Sequence, residues 1–260
     1  MNGPIRPFHP AETTLELDVS LSRWLEQGLN QKFGTVGSLI PRGFSSYARL
    51  FHPARNRAGQ QVRWAEVASW SGRTVHPLMA FEGISSLREG NDIDPPPWTE
   101  DPVHGSLAEE EAAALAAFVA RFTGTPERCF FAVWEGFGQF HPGAMSMLTS
   151  AGGDQSPFPP EEIQAAQRIK GVGRDYLLYS GPLSCIRSFF AGIWRASPTI
   201  WWPEDRMWCV ATDTDLDSTY FGGSEVCVRT LMEHAVFEAL AINLDAPTYI
   251  TADTLNMSDN

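Results

Sequence analysis

Three aspartates alternate in the stretch Thr212-Asp213-Thr214-Asp215-Leu216-Asp217-Ser218-Thr219. On an extended backbone, alternate residues point to the same face, so Asp213, Asp215 and Asp217 would share one side. Carboxylates that close repel one another unless a cation or a basic group neutralises them. Hard cations such as calcium or magnesium take oxygen ligands of this kind. The segment is therefore both a candidate metal site and a candidate acidic contact. Four of the six histidines, His9, His52, His76 and His141, precede a proline, which biases each towards an extended or turn conformation. His52, His76 and His141 fall at the ends of expected strands or turns. A fold that gathered them beside an acid could hold zinc or iron, although no pair has the spacing of a metal motif. Glu135, in Trp134-Glu135-Gly136, follows an apolar run; in a pocket of low dielectric its carboxyl could serve as an acid or base. Trp201, Trp202 and Trp208 stand just before the aspartates. If exposed, they would suit recognition of a cation, a sugar or an arginine-rich partner; if buried, they would be core.

Motif comparisons narrow these options. As an EF-hand loop the aspartate stretch fails: Ser218 stands at position six, where Gly is needed, and Glu225 comes one residue after position twelve. Asp215-x-Asp217-x-Thr219 mimics the nucleophile motif of haloacid-dehalogenase-type phosphatases. Those enzymes carry it on the first strand, whereas here only about forty residues follow. Gly171-x-Gly173 and Gly222-Gly223 are not phosphate loops, and the chain has neither a G-x-S-x-G elbow nor an H-E-x-x-H helix. No cofactor is implied.

The elements that must position these residues follow from composition and periodicity. The 260 residues are 43% apolar and 12% aromatic, enough for a sizeable core and unlike a disordered chain. No apolar run approaches the roughly 20 residues of a membrane helix. The N-terminus has no apolar leader, and Cys129, Cys185, Cys209 and Cys227 form no C-x-x-C pair. A cytoplasmic address with reduced thiols is expected. The net charge of −12 disfavours nucleic acid and suits a metal ion or a basic protein partner. Residues 1–90 carry ten Arg/Lys against seven Asp/Glu, a net of +3; residues 201–260 carry two against eleven, a net of −9.

Helices are expected from Asp18 to Gln27, from a capping box at Ser106 and Glu109 to Gly124, from Pro182 to Ser197, and from Ser224 to about Leu240. Strands are expected at Tyr47–His52 and Val62–Ala68 as an antiparallel pair, and at Cys129–Trp134, Tyr176–Tyr179, Trp208–Thr212 and Thr219–Phe221. Residues 90–105 and Ala144–Pro160 read as loops. Strands that pair locally, with helices between the pairs, predict an α+β fold: a mostly antiparallel sheet with four to five helices packed on it. The whole of 1–260 is expected to be one domain, with a two-lobe division near 90–105 as the alternative.

The run Ser197-Pro198, Trp201–Arg206, Trp208–Asp213 and Thr219–Ser224, together with Gly43–Ala54, resembles a family of uncharacterised bacterial proteins over most of the chain. That resemblance brings no catalytic residue with it. In general character (acidic, cytoplasmic, α+β and rich in tryptophan) the chain is also similar to SUKH-type immunity proteins. Two functions follow as expectations. One is a non-catalytic binding protein whose acidic, aromatic C-terminal surface engages a basic protein partner. The other is a metal-assisted hydrolase using Asp213, Asp215 and Asp217, with Glu135 or a histidine as proton carrier.

Overall fold

Cys129-Phe130-Phe131-Ala132-Val133-Trp134 is apolar on both alternations, a pattern a strand carries when both of its faces are covered. The computed structural model, which describes residues 10–87, 95–136, 161–191 and 196–256, shows that arrangement in an α+β fold. The strands are β1 (Thr14–Leu15), β2 (Ser46–Phe51), β3 (Ala54–Arg55), β4 (Gln61–Val62), β5 (Cys129–Trp134), β6 (Ile169–Lys170), β7 (Asp175–Gly181), β8 (Ile200–Pro203), β9 (Cys209–Thr212), β10 (Ser218–Gly223) and β11 (Ala239–Ala241). All but β3 and β4 form a nine-stranded sheet in the order β1-β7-β5-β8-β9-β10-β2-β11, with β6 pairing on β7. Every pairing in it is antiparallel.

Period-two alternation divides the sheet's side chains between two cores. Phe131, Trp201, Val210 and Phe221 face one way, under α4 (Glu109–Val119), α6 (Glu225–Met232) and a 3-10 segment at Leu183–Phe190. Phe130, Trp202, Ala211 and Tyr220 face the other way, against Leu25 of α1 (Arg23–Gly28) and Val36 and Ile40 in and just after a 3-10 turn at Val36–Ser38. A third cluster, around Phe51 and Trp64, lies between β2, α2 (Trp64–Ser71) and α3 (Phe81–Ser85). α5 (Glu161–Ala165) completes the described helices.

Several local expectations are corrected. Val62–Ala68 is not a strand paired with β2. From Trp64 the chain is helical, because Trp64, Val67 and Ala68 at helical spacing bury one face and the Glu238 carboxylate accepts from the Trp64 and Ala65 amides at 2.6 and 2.8 Å. β2 pairs instead with β10 and β11. The Ser106 capping box does not form: its hydroxyl donates to the Leu107 carbonyl and accepts from the Ser197 amide at 2.7 Å in both cases. The last helix stops at Met232 rather than Leu240, so Val236 is exposed and Ala239–Ala241 becomes an edge strand. Its expected cap is present, with the Ser224 hydroxyl accepting from the Cys227 amide. The Ala144–Pro160 loop and part of 90–105 lie outside the described residues. The rest of 95–105 is tied to the sheet by hydrogen bonds from Gly105 N to Leu216 O and between His52 and Val103 O.

Candidate functional site

The three aspartates form the β9–β10 hairpin turn, and their neutralising partners are arginines. Asp213 accepts a bidentate pair from Arg174, at 2.8 Å to each oxygen, and Arg174 also reaches Asp215 at 2.5 Å. Arg174 sits in the β6–β7 turn, with its guanidinium 4.6 Å from the Trp134 ring at the end of β5. The β6–β7 turn, the β9–β10 turn and the end of β5 are thereby clamped together. Asp213 and Asp215 together raise the Arg174 pKa, overcoming a burial that would by itself lower it. Asp217 pairs with Arg49 of β2 at 3.5 Å. Arg49 also donates to Ser218, Pro77 and Met79. Of the three carboxylates, Asp215 alone is largely open, its side chain 76% exposed.

Behind the turn, His52 is buried and both ring nitrogens are engaged. Nδ1 lies 2.6 Å from the Val103 carbonyl and so carries the proton. Nε2 then accepts from the Thr219 hydroxyl at 2.9 Å, and that hydroxyl accepts in turn from Thr212 at 2.7 Å. Burial, the largest influence, pushes the His52 pKa down, so the ring is held neutral. Val103 and Gly105 thus fasten one loop against the aspartate turn. Gly105 has φ +77°, and a Cβ there would stand 2.6 Å from the Thr214 carbonyl, so only glycine fits.

The turn forms one wall of a pocket of about 390 Å³, within the size range of small-ligand sites. Asp213, Asp215, Asp217, Arg49 and His104 supply its charged and polar side. Leu39, Leu78, Met79, Leu216 and Ile250 supply apolar walls, and Phe33 and Tyr249, 72% and 59% exposed, stand at the rim. Three carboxylates against the guanidiniums of Arg49 and Arg174 leave one negative charge.

The other expected site residues are placed elsewhere. Trp201, Trp202 and Trp208 are 0%, 1% and 0% exposed. This corrects the expectation of an aromatic surface built from them: as residues of or beside central strands, they pack into the two cores and offer no face to a partner. Glu135 forms a partly exposed ion pair with Arg168 at 2.7 Å. His76 donates to Asp253, well apart in sequence from the aspartate turn. His141 lies outside the described residues. Among the described residues, no group of three or more His, Cys, Asp or Glu is disposed to hold a metal ion, and none of their helices is long and apolar enough to cross a membrane. Sequence reasoning missed Arg49, Arg174, Phe33, Tyr249 and His104, which come from five separate segments with no shared pattern. No protein-family model matches the chain, and no curated protein or solved structure matches it significantly.

Proposed function

We propose that this is a cytoplasmic, non-catalytic binding protein whose pocket receives a basic group from a protein partner. The observation that carries the reading is that Asp213 and Asp215 share the single guanidinium of Arg174, with Asp215 the open carboxylate, on one pocket of about 390 Å³ with the exposed rings of Phe33 and Tyr249. A cationic side chain would set its charge against the carboxylate, its aliphatic stem along Leu78 and Ile250, and its head near an aromatic face. Four buried thiols, at Cys129, Cys185, Cys209 and Cys227, fit a reducing compartment.

The aromatic half of the recognition surface is here assigned to Phe33 and Tyr249. Asp215 is the aspartate to neutralise, because Asp213 and Asp217 hold arginines that fasten the fold. The test is titration of the purified protein with a short arginine- and lysine-containing peptide, followed calorimetrically. Asp215→Asn and Tyr249→Ala should each weaken binding several-fold at an unchanged melting temperature. Equal binding by all three proteins would sink the reading. The metal-assisted hydrolase keeps one observation in its favour, three aspartates and His104 on one pocket. Stabilisation by stoichiometric calcium, magnesium, manganese or zinc that Asp215→Asn abolishes would put that alternative first.

A further inference from the structure

The C-terminal segment reaches the pocket as a strap fixed at two ends. At its near end, Gly37 N donates to Leu244 O at 2.8 Å, Val36 N to Ala246 O at 2.9 Å, and Thr248 N to Gly34 O at 3.0 Å. Residues 247–250 then line the pocket, and a 3-10 turn at Ile250–Ala252 leads to the far end. There one buried carboxylate makes most of the attachment. Asp253 is fully buried. Its Oδ1 accepts from His76 Nε2 at 2.8 Å and Asn256 N at 3.0 Å. Its Oδ2 accepts from Ala80 N at 2.9 Å and Asn256 Nδ2 at 3.0 Å. Four donors fill the acceptor capacity of the carboxylate. Asn256 adds a two-way amide pair with the Thr74 backbone, at 2.9 and 3.0 Å.

The segment gripped at this end, 74–80, carries Leu78, Met79 and Ala80 of the pocket lining, and its Pro77 and Met79 carbonyls accept from Arg49. Asp253 thus joins two walls of the pocket without lining it. Burial would raise its pKa, but the hydrogen bonds from Ala80 and Asn256 and that from His76 outweigh burial and hold it ionised. A charge-assisted set of this kind is strong when whole and costly when one partner is lost.

We infer that residues 247–256 are a hinged strap over the pocket, latched at its far end by Asp253, and that release of this latch opens the pocket while the sheet stays folded. Ile250 and Leu255 are exposed and no residue of 247–256 belongs to the three hydrophobic clusters, as expected of a segment that opens below the global unfolding free energy. The proposal goes beyond the binding-protein reading and does not depend on what the pocket holds.

Hydrogen exchange on the full-length protein tests the latch. In Asp253→Asn the amides of Ala252, Asp253, Asn256 and Ala80 should exchange at least tenfold faster, while those of β5, β8, β9 and β10 stay unchanged. Opening itself is read with a thiol at Ser38, a buried pocket residue. The four native cysteines are buried, so a maleimide reports the new thiol. Ser38→Cys should label at least tenfold faster when combined with Asp253→Asn. Unchanged exchange, loosening that extends equally through the sheet, or equal labelling rates would each overturn the proposal. If Asp253→Asn does not melt cooperatively, Asn256→Ala is read in the same two ways; failure of both variants to fold would assign Asp253 to the global core and overturn the strap.

Discussion

Arg174 and Asp215 hold the same ion pair from opposite situations, and the difference sets what each substitution should do. Arg174 is mostly buried, makes three charge-assisted hydrogen bonds and covers Trp134. Arg174→Gln strands the nearly buried Asp213 carboxylate and should cost on the order of 2–3 kcal/mol in a denaturant titration. Asp215→Asn removes an exposed partner and should change stability by less than about 0.5 kcal/mol. Equal costs would mean that the clamp is not centred on Asp213. His52 supplies a pH dependence of definite sign. Its folded-state pKa lies below the ordinary 6.5 because burial disfavours the charged ring. Below about pH 6.5 the unfolded chain therefore binds a proton that the folded one resists. Protonation also turns Nε2 into a donor and breaks the Thr212–Thr219–His52 order. The stability that neutral His52 contributes is complete above that pH and is lost progressively as the pH falls through the folded value. Melting temperatures between pH 7.5 and 5 should fall more steeply for the native chain than for His52→Gln.

At the level of elements, five of the six expected strands are present, Val62–Ala68 being the exception. Cys129–Trp134 starts and ends as its apolar run predicts, and Tyr176–Tyr179, Trp208–Thr212 and Thr219–Phe221 lie within a residue or two of β7, β9 and β10. Strong β-formers in short runs bounded by turn residues make that possible. Helix ends were less legible, because they answer to distant groups. α2 begins where Glu238, 174 residues later, caps it, and Ser106 is drawn from its expected capping role by Ser197. The site was legible only in its aspartates; Arg174, Phe33 and Tyr249 reach it through tertiary packing that no local spacing encodes. The tryptophans show the same limit. Trp201-Trp202 beside acids reads equally as a binding patch or as core, and pairing on both edges of β8 decides for core. Trp202 stacks 5.6 Å from Phe130 and meets Trp24 edge-on at 5.8 Å. Trp202→Ala should then cost about 3–5 kcal/mol by thermal or chemical unfolding. A loss below about 1 kcal/mol would return Trp202 to the surface.

Over the whole molecule, the fold redistributes the charge asymmetry of the chain. Its acidic end does not stand apart as a surface of nine negative charges, because β10 lies against β2 and brings the two ends together. Asp217 meets Arg49, and Asp213 and Asp215 meet Arg174. What remains is a diffuse field from the net −12 and a local site at the pocket, and these respond differently to salt. Any basic peptide will be drawn by the field, but the screening length falls from about 10 Å at 0.1 M salt to about 3 Å at 1 M. Field-driven capture should therefore fade over that range in the native protein and in a Phe33→Ala/Tyr249→Ala variant alike. Contact with the rings and the apolar walls is screened far less. The ratio of the two proteins' affinities for one basic peptide should then hold steady, or grow, as salt rises. A ratio that collapses to one at high salt would mean that the pocket adds nothing beyond the charge of the molecule, and the search for a partner would move away from this end of the sheet.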